Sequence, residues 1–479
     1  MARRHSRRDL LKAAGLVLGG AAAVDAGVLG APGLATAATG PDASAWRRAG
    51  RILARVRPPR FPNRSFPITD FGAVADGTTD CTGALRDAIE RCHDSGGGHV
   101  VVPAGTFLTG AIHLLSNVDL HLSRGATLKF SKDPAAYLPV VYTRWQGIEL
   151  MNYSAFIYAF EQENIGITGE GTLDGQAGDD AWWPWSGSTR YGWSQGQPNQ
   201  DADWTLLQQL ADDGVPVEQR VFGPGHYLRP NFIQPYRCRN VVVDGVTVTN
   251  SPMWEVNPVL CTNVTVQNYK VDSHGPNNDG CDPESCRDVV IQRCTFDTGD
   301  DCIAIKAGRN ADGRRVNVPS EDIVIRDCDF ADGHGGVTMG SEMTGGIRNV
   351  FAEDLRMNSP NLNNCLRLKT NSARGGFIEE VYLRNTSVGQ VAQVAFLVDF
   401  FYDEGPGHGF NPTVADIHVS DLTVDTAQQP WYLVGYPDDH IRDVSLTDCT
   451  FTTVAKDPVT QYVDDLVLRN VTVNGQPVG

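Results

Sequence analysis

The chain has 479 residues, with 57 acidic against 40 basic side chains and a formal net charge of -17 at pH 7. That balance excludes nucleic acid as the main partner, since phosphate binding draws on clustered Lys and Arg. Its 11 Cys show no CxxC spacing, which excludes a cysteine-based zinc module and leaves their pairing open.

The N-terminus reads as a targeting segment. Arg3, Arg4, Arg7 and Arg8 form a basic region, and Ser6 to Lys12 carries a twin-arginine pattern before a weakly apolar run reaching about Ala31. Ala35-Thr36-Ala37 is a cleavage site, so residues 1–37 are expected to be a twin-arginine signal peptide of a secreted bacterial protein. The run contains Asp25 and is too short and Gly/Ala-rich for a membrane anchor. Its removal takes away five basic and two acidic residues, leaving a mature chain more negative still. An acidic substrate then needs local basic groups to hold it.

Residues 38–65 are basic and Pro-containing and are expected to be an N-terminal arm or linker. From 66 to 479 a single domain is expected. Phe71 to Gly77 is turn-rich, and Leu85, Ala88 and Ile89 within Cys81–Cys92 suit a short amphipathic helix covering the edge of a stack. Strand-like pieces follow at Val100–Phe107 and Asn117–Phe130. Residues 176–229 break the pattern and hold Trp182, Trp183, Trp185, Trp193 and Trp204, which predicts a loop-rich insertion over one side.

Beyond residue 240 the chain repeats itself. Segments opened by Asn240, Asn263, Asp288, Asp322, Asn349, Glu380, Asp416, Asp443 and Asp465 each hold two β-branched pieces around a polar turn. Their starts lie 22 to 36 residues apart, with no helical stripe of ordinary length between them. One such unit cannot bury its apolar face alone, and stacking buries it against the next. The fold class predicted is all-β, a parallel β-helix.

In a coil stack, residues about one repeat apart become neighbours at roughly 5 Å. Asp279 and Asp300 are 21 apart, and Asp301 adjoins Asp300 after Gly299, a permissive corner. One coil on, His334 sits within Gly333-His334-Gly335-Gly336, and a further coil on, Arg367 and Lys369 share a strand face. Lys306 and Arg309 would add positive charge. Crowded carboxylates push one proton affinity upward and create an acid, while an ionised partner handles water; cations hold an acidic sugar. This grouping suits glycosidic hydrolysis better than a set of solvated corner aspartates.

In this order the motifs Asn278-Asp279-Gly280, Gly299-Asp300-Asp301, Gly333-His334-Gly335 and Arg367-Leu368-Lys369 resemble the polygalacturonase family of glycoside hydrolases, family 28. The likeness runs from about Phe66 to the C-terminus, with Leu368 where Ile is usual and Asn277 preceding the first motif. It implies a right-handed β-helix that cleaves α-1,4-galacturonosyl linkages of pectin with inversion and without metal or cofactor. Asp300 would be the general acid, Asp279 and Asp301 would position and deprotonate water, His334 would tune the acid or bind substrate, and Arg367 and Lys369 would bind the sugar carboxylate. Spacing alone does not separate Asp300 from Asp301. Inversion further predicts catalytic carboxyls about 6.5–9.5 Å apart.

The partner implied is an acidic plant cell-wall polysaccharide or an oligogalacturonide, acted on by a monomer. Segments 335–342 and 169–175 look similar to bacterial exo-acting members, and a Trp-rich wall at 176–229 would close one cleft end. Rhamnogalacturonan or xylogalacturonan hydrolysis is the alternative within the family. A calcium-dependent pectate lyase and a non-catalytic polysaccharide-binding β-helix are the alternatives outside it.

Overall fold

The structure is a computed structural model that describes residues 41–479. The signal peptide expected at 1–37 and residues 38–40 lie outside the described residues. One compact unit runs from Ser44 to Gly479.

Parallel strands stack coil upon coil into one long sheet and a shorter one behind it. Along the opening strand of all nine repeats the register is unbroken: Val241, Val264, Val289, Ile323, Val350, Val381, Ile417, Val444 and Leu466 pair in succession. Repeats differ in length because the extra residues leave the stack as loops, not because strands slip. A slip of one residue would turn this apolar column outward.

Why each repeat opens on Asn or Asp is visible in the backbone. Asn240, Asn263, Asp288, Asp322, Asn349, Asp416, Asp443 and Asp465 have φ between 52° and 63°, and Glu380 has 55°. Short polar side chains tolerate this left-handed conformation. They also bond from coil to coil: Asn164 donates to Asn117 at 2.9 Å, Asn240 to Asn164 at 2.8 Å, and Asn263 to Asn240 at 2.7 Å.

Helix α1 (Pro41–Arg55) replaces the irregular arm expected over this stretch. Its Ala45, Ala49 and Ile52 cover Val290, Val324 and Phe351, which point outward from the long sheet. Arg55 pairs with Asp288 at 2.5 Å and Asp322 at 2.7 Å, tying the helix to two successive corners. Helix α2 (Thr82–Asp94) takes the expected place at the start of the stack, with Leu85, Ala88, Ile89 and Cys92 buried. The 176–229 region contributes short 3-10 turns, among them Trp183–Ser186 and Thr189–Tyr191, and helix α3 (Asp201–Asp212). Among the described residues no helix is long and apolar enough to cross a membrane.

All 11 cysteines are free and buried. Cys238, Cys261 and Cys286 occupy successive coils, each Sγ donating to backbone carbonyls: Cys238 to Ala159 at 3.6 Å, Cys261 to Pro235 at 3.3 Å, Cys286 to Pro258 at 3.2 Å. They pack as small apolar residues with their weak donors satisfied.

Candidate active site

The second sheet carries the polar constellation. Strands Ile303–Ile305, Val337–Met339 and Leu366–Lys369 pair in parallel, with Ala304, Thr338 and Arg367 in one row. The row continues backward through bridges from Cys281 to Ile303 and from Glu284 to Lys306.

Asp279 is set by its neighbour Asn278. The Asn278 carboxamide oxygen accepts from Ser273 Oγ at 2.7 Å and Gly275 N at 2.8 Å, and its nitrogen donates to Ser251 and Met253 carbonyls at 3.2 Å. The first two contacts close the local turn and the other two reach the preceding coil, so Asn278 is a bracket for Asp279. At Asp300 the chain bends. Gly299 permits this by close approach, not by a left-handed corner: a Cβ there would stand 2.6 Å from the Gly275 carbonyl oxygen. Gly335 is needed likewise, since its Cβ would meet Thr338 Oγ1 at 2.3 Å and Asp301 Oδ1 at 2.9 Å.

The three aspartates do converge. One oxygen from each of Asp279, Asp300 and Asp301 lies within 4.8 Å of the others. These are spacings between nearest oxygens, close enough for the three carboxyls to titrate as a unit. The side chains differ in access: Asp300 is 19% exposed, Asp279 3% and Asp301 0%.

Each carboxylate has its own partner set. Asp301 receives Lys369 Nζ at 2.7 Å, Arg367 Nη1 at 3.0 Å and Thr338 Oγ1 at 3.1 Å. These cations outweigh burial and hold it well below the usual carboxylate range. Asp300 meets His334 Nδ1 at 3.0 Å. Burial opposes its charge, yet the imidazole holds its pKa down, and the same bond raises that of His334. Asp279 is pushed up to about 7, by burial first and then by the Asp300 carboxylate, against the pull of Lys306. The trio thus has two ionised members and one that keeps its proton near neutrality.

Lys306 and Arg309 are not presented as open cations. Lys306 Nζ lies 3.4 Å from Asp279, 3.6 Å from Asp282 and 3.4 Å from Glu342, with the Trp254 ring 4.3 Å away. Arg309 pairs with Glu342 at 3.1 Å, Asp403 at 3.3 Å and Glu404 at 2.8 Å. A buried guanidinium or ammonium with carboxylate partners offsets charge beneath the site, where a bare carboxylate cluster would be costly. Within the trio, Lys369 and Arg367 engage both oxygens of Asp301, Lys306 reaches only Oδ2 of Asp279, and Asp279 Oδ1 has no protein partner.

Several contributors carried no readable signal. Arg229 is buried beside the trio, donating to the Pro252 and Pro276 carbonyls at 2.9 and 2.6 Å and to Asn277 Oδ1 at 2.7 Å. Burial lowers its pKa to about 9. Thr338 was findable, since it pairs in register with Arg367 one coil on. Arg229 was not, because it arrives from the end of the non-repeating segment.

A parallel β-helix with paired acids, a histidine-bound carboxylate and basic groups on successive coils defines a glycoside hydrolase. Residues 225–468 match the model described as glycosyl hydrolases family 28, and the chain belongs to that family. It is similar to a hyperthermoactive exopolygalacturonase from Thermotoga maritima, at 45% identity and TM-score 0.88, covering 90% of this chain and 96% of that one. It also resembles a probable polygalacturonase of Vitis vinifera, 29% identical over 85% of this chain and 79% of that protein. An exo-poly-alpha-D-galacturonosidase of Dickeya chrysanthemi is 27% identical over 74% of this chain and 60% of its own length.

Proposed function

We propose that this glycosidase removes units from the end of an α-1,4-linked galacturonan, the acidic backbone of pectin. The observation that carries this reading is a trio of converging aspartates, with Arg367 and Lys369 two coils on reaching back to Asp301 and Asp300 the accessible member. The 45% identity to an exopolygalacturonase supports terminal attack.

In the proposed reaction Asp300 delivers a proton to the glycosidic oxygen, being the member that a substrate reaches and that His334 contacts. Asp279 and Asp301 hold the attacking water between them. In the free site the proton rests on Asp279, so substrate binding must move it within the trio, whose members titrate as a unit. Arg367 and Lys369 fix Asp301 and face the sugar carboxylate. Attack by water on the face opposite the leaving group inverts the anomeric centre. Asp301, with three donors on its oxygens, is a poor covalent nucleophile, which favours this course.

The proposal includes export through the twin-arginine route, resting on Ser6 to Lys12, and action as a monomer.

Product profiling on polygalacturonate with early NMR decides among these readings. Terminal hydrolysis by inversion releases monomer or dimer alone, first as the β anomer. A ladder of oligomers would reject terminal attack, an α product would select retention, and unsaturated products sensitive to chelator would reject hydrolysis. Release from rhamnogalacturonan or xylogalacturonan but not from polygalacturonate would move the activity to that alternative.

A further inference from the structure

A cavity of about 450 Å³ opens beside His334, bounded by Arg190, His274, Asp332, Asn361 and Asn363. Its size falls in the range of small-ligand sites, about 300–1,000 Å³. Most of its charged groups are already matched within the protein. His274 Nε2 lies 3.0 Å from Asp297, and Asp332 accepts from Gly333 N at 2.8 Å and Asn361 Nδ2 at 3.3 Å. Arg190 is different. It is exposed, it stands 5.2 Å from the ring of its neighbour Tyr191, and it has no carboxylate partner among the described residues.

The segment that presents Arg190 is fastened to the coil of Asp279. Trp183 Nε1 donates to the Ser251 carbonyl at 2.8 Å, and the Trp183 ring packs against Gly275, where a Cβ would stand 2.3 Å from it. Gly275 N in turn donates to Asn278, the bracket of Asp279. Trp183 also packs on Tyr191 at 5.9 Å between ring centres. The 3-10 turn Thr189–Tyr191 is therefore held in position relative to the catalytic coil.

We propose that this cavity is a second uronate subsite, in which the Arg190 guanidinium binds the carboxylate of the sugar next to the one at Arg367 and Lys369. The planar fork of Arg matches a carboxylate with two parallel bonds, and the Asn361 and Asn363 amides supply partners for ring hydroxyls. The subsite rests on the reading that the substrate is a galacturonan, and it makes the Trp-rich insertion a specificity element.

Steady-state kinetics of the wild type, Arg190→Gln and Arg190→Lys on trigalacturonate and its methyl ester test it. Arg190→Gln should raise KM for the free acid about 10–100-fold, the size of one hydrogen-bonded charge contact, with kcat within about twofold. Discrimination against the ester should fall by the same factor, and Arg190→Lys should recover part of both. Because Arg190 is exposed, thermal unfolding should not change. An active wild type with an unchanged KM in Arg190→Gln overturns the subsite alone. A wild type that releases nothing from either substrate overturns the galacturonan reading and the subsite with it.

Discussion

Asp279 keeps its proton to about pH 7 because burial and the Asp300 carboxylate both oppose a further negative charge. Above that pH the trio loses the proton on which acid catalysis depends, so kcat/KM should fall on the alkaline side. His334 sets where. Its raised pKa means that the cationic imidazole bonded to Asp300 is fully present below about pH 6.5 and is lost as pH rises through the raised value. In His334→Ala, Asp300 loses a donor that held its own pKa down. The alkaline limb should then move to higher pH while kcat falls about 10–100-fold, matching roughly 1.5–3 kcal/mol for one hydrogen bond to a charged group. A pH–rate profile of both proteins measures this. An unmoved limb would mean that the proton is not shared with Asp300.

At the scale of single elements, α1 shows how an outward-facing apolar row is managed. Val290, Val324 and Phe351 would lie bare on the sheet without it. Ile52, fully buried there, should cost about 2–5 kcal/mol when changed to Ala. Denaturant unfolding reads that loss, and activity under native conditions should be kept because α1 supplies none of the catalytic groups. The sequence pointed to an arm here because Pro58 and Pro59 and a basic composition mask the spacing of Ala45, Ala49, Ile52 and Val56. The repeats were legible for the opposite reason. Their polar openers need a left-handed corner and their apolar partners must stay in register, so both constraints are written in every unit. Asp279, Asp300, Asp301, His334, Arg367 and Lys369 lie on that register and could be placed together from spacing. Arg190, Arg229, Trp183 and Trp204 come from the segment without a repeat, where no period assigns a neighbour. The engagement of Lys306 and Arg309 by Glu342, Asp403 and Glu404 was hidden likewise, since Asp403 and Glu404 sit on a loop outside the strands.

Across the whole molecule, stability is distributed coil by coil, each contacting chiefly its neighbours. The cysteines follow that logic, all packed in the interior, and those on successive coils such as Cys238 and Cys261 bond through sulfur to backbone carbonyls. This has a consequence for where the chain can mature. With no covalent cross-link to close, the fold needs no oxidant and can be completed in a reducing compartment. A thiol reagent should therefore read 11 groups in the unfolded chain and almost none in the native one. A reductant should leave the melting temperature where it was.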